Sequence, residues 1–164
     1  MKQLVLALLA AAGVLANAQE AAVAMEQQVA EITAGSQVTI VHFWAPWCGN
    51  CKAEMQPEGW AKFIAANPNV KFVFLNIMHR GQDPWPMLMA GELGGQPNLL
   101  LLTHPNPSSK ADDKLKQFLG LPITWIPTTW IFRDGKLRFA LNYGEARWPI
   151  LQQFVDDSHD PWKR

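Results

Sequence analysis

The segment Val41 to Met55, VHFWAPWCGNCKAEM, restricts what this chain can be more than any other stretch. A run of β-branched and aromatic residues ends in a proline and a tryptophan. Cys48 and Cys51 follow, the only two cysteines in 164 residues. The residue types before the pair favour a strand and those after it carry helical spacing, so the sulfurs stand where a strand turns into a helix. Three uses compete. A structural zinc site takes about four ligands, yet His42, His79, His104 and His159 are scattered without ligand spacing. A structural disulfide gains from the length of the loop it closes, and this one would enclose two residues. Redox work suits the setting better. The first sulfur would meet unpaired N–H groups at a helix N-terminus, which stabilise a thiolate, and the second would lie one turn along, close but more sheltered.

The first twenty residues, MKQLVLALLAAAGVLANAQE, stand apart from the fold. Lys2 supplies an early positive charge, Leu4 to Leu15 an apolar stretch, and Ala16-Asn17-Ala18 a small-x-small site. This is the layout of a secretory signal cut after Ala18, with a domain over residues 19–164. The alternative is a retained N-terminal membrane anchor, for which the apolar run is short, since spanning takes about 20 residues. An exported chain of this kind points to the periplasm, where disulfide chemistry is possible. Hydrophobic residues make up 49% and charged residues 17%, with no net charge. That is the composition of one folded domain and gives no electrostatic basis for nucleic acid as a partner.

Along the mature chain, EAAVAMEQQVAEITAG is helical and stops at Gly35. QVTIVHFWA is a strand, and GNCKAEMQPEGWAKFIAAN a helix kinked at Pro57. VKFVFLNIM and NLLLLTH are further strands, separated by an irregular stretch over 79–97. SSKADDKLKQFLG has a serine cap, an acidic first turn and a terminal glycine, so it is predicted to be a helix ending at Gly120. PTTWIFRDGKLRFALN is two strands joined at Asp134-Gly135, and GEARWPILQQFVDD closes the chain as a helix. The order predicts an α/β fold, a central mixed sheet with helices on both faces.

FWAPWCGNCK resembles the active-site segment of the thioredoxin superfamily, and IPTTWIFRDGK resembles its cis-proline loop with the strand and hairpin that follow. CKAEM, the elements between the two motifs and the export signal are similar to the TlpA/ResA-like branch of exported thiol–disulfide oxidoreductases. The resemblance covers the chain from about Gln27 onward. It implies a thioredoxin-like fold with Cys48 as nucleophile and Cys51 as resolving thiol. It also implies a cis Ile126–Pro127 bond facing them, with Ile126 pairing with substrate backbone as a short strand. Glu54 matches the branch's glutamate three residues after the second cysteine, where its charge would raise the cysteine pKa values. A solvated glutamate on an exposed face is the plainer alternative. His42 occupies the place where thioredoxins carry a buried acid. It would relay protons to Cys51 near neutral pH, or serve simply as a hydrogen-bonded core histidine. Two residues depart from the pattern. Pro57 follows Cys51 by six residues where the superfamily usually has five, which puts the pose of Glu54 in question. Gly49-Asn50 replaces the Gly-Pro of reducing thioredoxins, restoring an N–H that would stabilise the Cys48 thiolate and make the disulfide more oxidising.

The leading function is therefore exchange of a Cys48–Cys51 disulfide with protein substrates, with no cofactor beyond that disulfide and no metal. A reductant role is favoured by the resemblance, with a membrane-embedded thiol reductase or oxidase as redox partner. An oxidase or isomerase is the closer rival, and a monomer is expected. Two other classes compete. IMHRGQDPWPMLM brings Met78, His79, Met87 and Met89 together in sequence, a ligand set suited to Cu(I). A non-catalytic binding module would use Trp44, Trp47, Trp125 and Ile126 as an apolar rim; Trp60, Trp130 and Trp148 are expected to pack inside.

Overall fold

Alternating side-chain burial divides the sheet into two apolar faces. In the computed structural model, which describes residues 2–105, 108–142 and 146–160, α1 (Lys2–Thr33) leads into β1 (Thr39–Trp44), and α2 (Gly49–Glu54) follows the cysteine turn. A π-helical turn (Pro57–Ala61), kinked at Gly59, and α3 (Lys62–Ala66) precede β2 (Lys71–Asn76), α4 (Trp85–Ala90) and β3 (Leu99–Thr103). Next come β4 (Gln117–Phe118), β5 (Leu121–Pro122), β6 (Thr128–Arg133), β7 (Lys136–Leu141) and α5 (Trp148–His159). The main sheet has the order β3-β2-β1-β6-β7. β1, β2 and β3 run parallel, while β6 is antiparallel to β1 and β7 to β6, so the sheet is mixed as expected.

Strand side chains point alternately to opposite faces. On one face Ile40, Trp44, Phe72, Phe74 and Ile131 join Cys51, Met55, Trp60, Ile64, Leu151 and Val155 from the helices after the cysteines and from α5. On the other, Val41, Phe43, Val73, Leu75 and Trp130 meet Val29 of α1 and Phe118 and Ile123 around the β4–β5 hairpin. β1 is enclosed on both sides and has no exposed residue, which explains its nearly continuous apolar run.

Two turns carry the special backbone. Asp134 and Gly135 have φ of 53° and 70°, the paired left-handed geometry of a tight hairpin. Their amides donate to Gly35 and Thr33 carbonyls at 2.9 Å each, tying the β6–β7 turn to the end of α1. Leu119 and Gly120, at φ 50° and 71°, do the same for β4 and β5. Here the expected helix over SSKADDKLKQFLG is corrected. Among its described residues only Ala111–Asp113 forms a short 3-10 turn, and Gly120 turns a hairpin rather than ending a helix. Leu115, Phe118, Leu119 and Leu121 pack on the sheet together, so tertiary burial overrode the local helical spacing. The stretch over 79–97 in turn contains α4, opened by Pro84 and Pro86.

Candidate functional site

β1 delivers the chain to the site through Ala45-Pro46-Trp47, and the Cys48 amide donates back to the Ala45 carbonyl at 3.1 Å. Trp47 is pinned to the end of β2, its indole N–H donating to the Met78 carbonyl at 2.8 Å. Cys48 has extended backbone and caps α2, its sulfur accepting from the Cys51 amide at 3.3 Å. That local donor favours the ionised sulfur. The two cysteines are bonded to each other in this structure, with Cα atoms 5.2 Å apart. Cys48 is 8% exposed and Cys51 is not exposed at all. Sequence spacing implied this asymmetry between an outer and an inner sulfur. Gly49 and Asn50, between them, are both exposed.

The Ile126–Pro127 bond is cis and the loop faces the pair, with the Cys48 sulfur 3.7 Å from the Ile126 carbonyl. The Trp125 carbonyl accepts from the Thr128 hydroxyl at 2.7 Å, which holds the loop's shape. A groove of about 400 Å³ runs past Cys48, lined among others by Trp47, Lys114, Ile123, Trp125 and Ile126. Trp125 is 70% exposed, Trp47 and Ile126 are half-buried, and Pro127 is buried. Trp44 does not join this rim; at 1% exposed it lies in the core, because β1 places it on the inner face. Trp60 and Trp130 are buried as expected.

Beneath the sulfurs lies a buried polar chain. Glu54, the last residue of α2, is 6% exposed, so the solvated alternative does not hold. Its carboxylate accepts from the Ala146 amide at 2.8 Å and the Trp60 indole N–H at 3.3 Å, and stands 3.5 Å from Nε2 of His42. The opposite ring nitrogen of His42 lies 2.9 Å from the Thr129 hydroxyl, a contact set by the β1–β6 register that pairs the two residues. The ring also lies 4.6 Å from Trp60 and 4.9 Å from Phe74, centroid to centroid. Burial pushes the His42 pKa down to about 3. The imidazole is therefore neutral near pH 7, hydrogen-bonded to Thr129 on one nitrogen while the buried Nε2 faces Glu54 without a hydrogen bond. A second hollow of about 200 Å³ touches Glu54, Pro127, Thr129 and Arg147 and shares no lining residue with the groove.

At Pro57 the helix is interrupted and kinked, with Gly59 non-helical at φ -92° and ψ -114°. The Met55 amide closes α2 on the Cys51 carbonyl at 3.1 Å, Gln56 is extended, and Pro57 opens the π-helical turn. Glu54 thereby stays on the inward side. Thr129, Trp60, Lys114 and Ile123 were missed as site residues; only the cross-strand register, invisible in one sequence, would have supplied the first. The Met-rich segment does not converge. Met78 is buried with the α1-side cluster, Met87 packs on the other, and Met89 is 51% exposed. Among the described residues no three His, Cys, Asp or Glu side chains form a metal cluster.

Residues 25–158 match the model of the thioredoxin-like domain family, and the chain belongs to that family. No curated protein sequence matches it. Several solved structures share the fold. A secreted Mycobacterium tuberculosis disulfide oxidoreductase homologous to E. coli DsbE is 20% identical, with a TM-score of 0.55 over 77% of this chain and 85% of that one. StoA from Bacillus subtilis is 25% identical, with a TM-score of 0.52 over 74% and 84%. A putative thiol:disulfide interchange protein DsbE from Chlorobium tepidum is 19% identical, with a TM-score of 0.52 over 77% and 83%.

Proposed function

We propose that this protein is an exported thiol–disulfide oxidoreductase that reduces disulfides in other polypeptides. One observation carries the reading: the outer sulfur sits at the floor of an open groove, capped by an amide and faced by the cis-proline loop, while its partner is enclosed. In the reduced state the Cys48 thiolate attacks a substrate disulfide, forming a mixed disulfide and releasing one substrate thiolate. Cys51, deprotonated, then attacks the Cys48 sulfur, expelling the second substrate thiolate and restoring the internal disulfide. Two electrons pass to the substrate and none are unaccounted for. Ile126, with its carbonyl beside Cys48, is placed to accept a backbone N–H from an extended substrate strand.

Export follows from the layout of residues 1–18, with the periplasm as destination and removal after Ala18. The direction of electron flow follows from the resemblance to the TlpA/ResA-like branch, with a membrane-embedded thiol reductase restoring the dithiol. Among the described residues no helix is long and apolar enough to cross a membrane.

The test uses paired variants in the exported compartment. Cys51→Ser is expected to accumulate mixed disulfides with its substrates, visible on non-reducing gels, and Cys48→Ser to lose exchange by at least a hundredfold. Turnover by Cys48→Ser, with no adducts on Cys51→Ser, would reverse the assigned roles. Finding the pair mainly oxidised in cells would replace the reductant role with that of an oxidase.

A further inference from the structure

The groove has a charge of its own, although the chain has none overall. Lys114 is the charged residue among those lining it. It is half-buried, and its ammonium lies 3.4 Å from the Thr124 carbonyl, which holds it against the wall. Arg80, though not itself a lining residue, adds a second positive charge next to the groove. Its guanidinium stacks over Trp47, 3.9 Å from the ring centroid, and Trp47 is itself a wall of the groove. Among the described residues neither cation makes an ion pair. Of the acidic residues near them in sequence, Asp113 accepts from the Ser108 hydroxyl at 2.6 Å and Asp83 from the Trp85 amide at 3.0 Å, and neither these nor Asp112 lines the groove. Among the described residues no aspartate or glutamate lines the groove.

Two cations beside an apolar cleft, without an ion pair among the described residues, create a local positive potential, and apolar walls weaken its screening by water. A substrate cysteine reaching Cys48 brings its neighbouring side chains along the same cleft, since an extended strand advances about 3.4 Å per residue. We infer that the groove selects polypeptide segments carrying a carboxylate within a residue or two of the reactive cysteine, with Lys114 and Arg80 as the residues that set this preference. The inference rests on the thiol–disulfide reading above and names the substrate class of that same site. The chemistry is the exchange already written; only the encounter and alignment change.

The test presents the reduced protein with three peptide disulfides, each a homodimer of one short peptide, identical except for Glu, Gln or Lys beside the cysteine. Each encounter converts one disulfide and one protein dithiol into two peptide thiols and the Cys48–Cys51 disulfide. Rates are divided by those of dithiothreitol with the same peptides, which removes the intrinsic effect of each flanking residue. At low salt the Glu peptide is expected to react about tenfold faster than the Lys peptide, the difference shrinking severalfold at about 1 M salt. Lys114→Glu should reverse the order and Arg80→Gln should narrow it. Lys116→Glu, an exposed position outside the groove, should preserve it. Equal normalised rates for all three peptides overturn the inference, as does a Lys116→Glu effect as large as that of Lys114→Glu. Absence of exchange with every peptide overturns the oxidoreductase reading itself, and this inference with it.

Discussion

An imidazole sealed from water resists protonation, because its cation would lose hydration that a single neighbour does not replace. His42 is such a group. The Glu54 carboxylate, 3.5 Å away, would favour the cation, yet burial dominates and holds the pKa at about 3. Glu54 is the titratable side chain that faces the ring. Once the chain unfolds, the same ring returns to its ordinary value near 6.5. Between those two values the unfolded state binds the extra proton, so folding stability falls as pH falls through that window and is unaffected by this group above it. The slope contributed by His42 is about 1.4 kcal/mol per pH unit. Urea denaturation of wild type and His42→Gln between about pH 4 and 7 should show the wild-type curve falling more steeply by that order. Parallel curves would mean that the ring titrates normally in the folded protein.

At the scale of elements, the informative feature is the break between α2 and the π-helical turn. Two glycines make it possible. A methyl group on Gly59 would strike the Glu54 carbonyl oxygen and the Trp148 ring, and one on Gly91 would strike the Met55 carbonyl oxygen. The two carbonyl obstacles are backbone, which does not swing aside. Gly59→Ala and Gly91→Ala are each expected to lower stability by about 1–3 kcal/mol in thermal or urea unfolding. Gly49→Ala, where an added methyl meets nothing within 4 Å, should stay within about 0.5 kcal/mol. A Gly59→Ala variant as stable as the Gly49→Ala variant would show that the break relaxes freely.

Much of this architecture was readable beforehand because burial imposes its own rhythm on sequence. The strands announced themselves through β-branched and aromatic runs, the β6–β7 turn through Asp134-Gly135, and the reactive pair through its position between strand and helix. The β4–β5 hairpin was not readable. Lys114 to Gly120 places leucine and phenylalanine at spacings that suit a helix, and a glycine at the end reads as a cap. What decides the matter is the apolar surface of the sheet, which accepts Leu115, Phe118, Leu119 and Leu121 together. The partners of Glu54 were hidden for a related reason. His42, Trp60 and Ala146 reach it from three separate segments, and no local pattern encodes such a meeting.

Across the whole molecule, the N-terminal helix does more than cover a sheet face. Met25, Val29 and Ile32 pack on the cluster beneath the sheet, and Glu26 accepts a hydrogen bond from the Leu119 amide in the β4–β5 turn. Glu26 also opposes the downward push that burial exerts on the His104 pKa. The hairpin leads directly into Ile123, Thr124 and Trp125, so this contact anchors the segment that forms one wall of the groove. Glu26→Ala is expected to lower stability by about 1.5–3 kcal/mol, the range for a hydrogen bond to a charged group. It should also speed amide hydrogen exchange at Leu119. Unchanged exchange there would show that the turn holds without α1.

The enclosure of Cys51 bears on how a reaction cycle must close. With the inner sulfur screened from a second polypeptide, release of a guest by Cys51 would need a movement of one side chain inside the host, whereas an incoming thiol would have to approach at Cys48, from the groove.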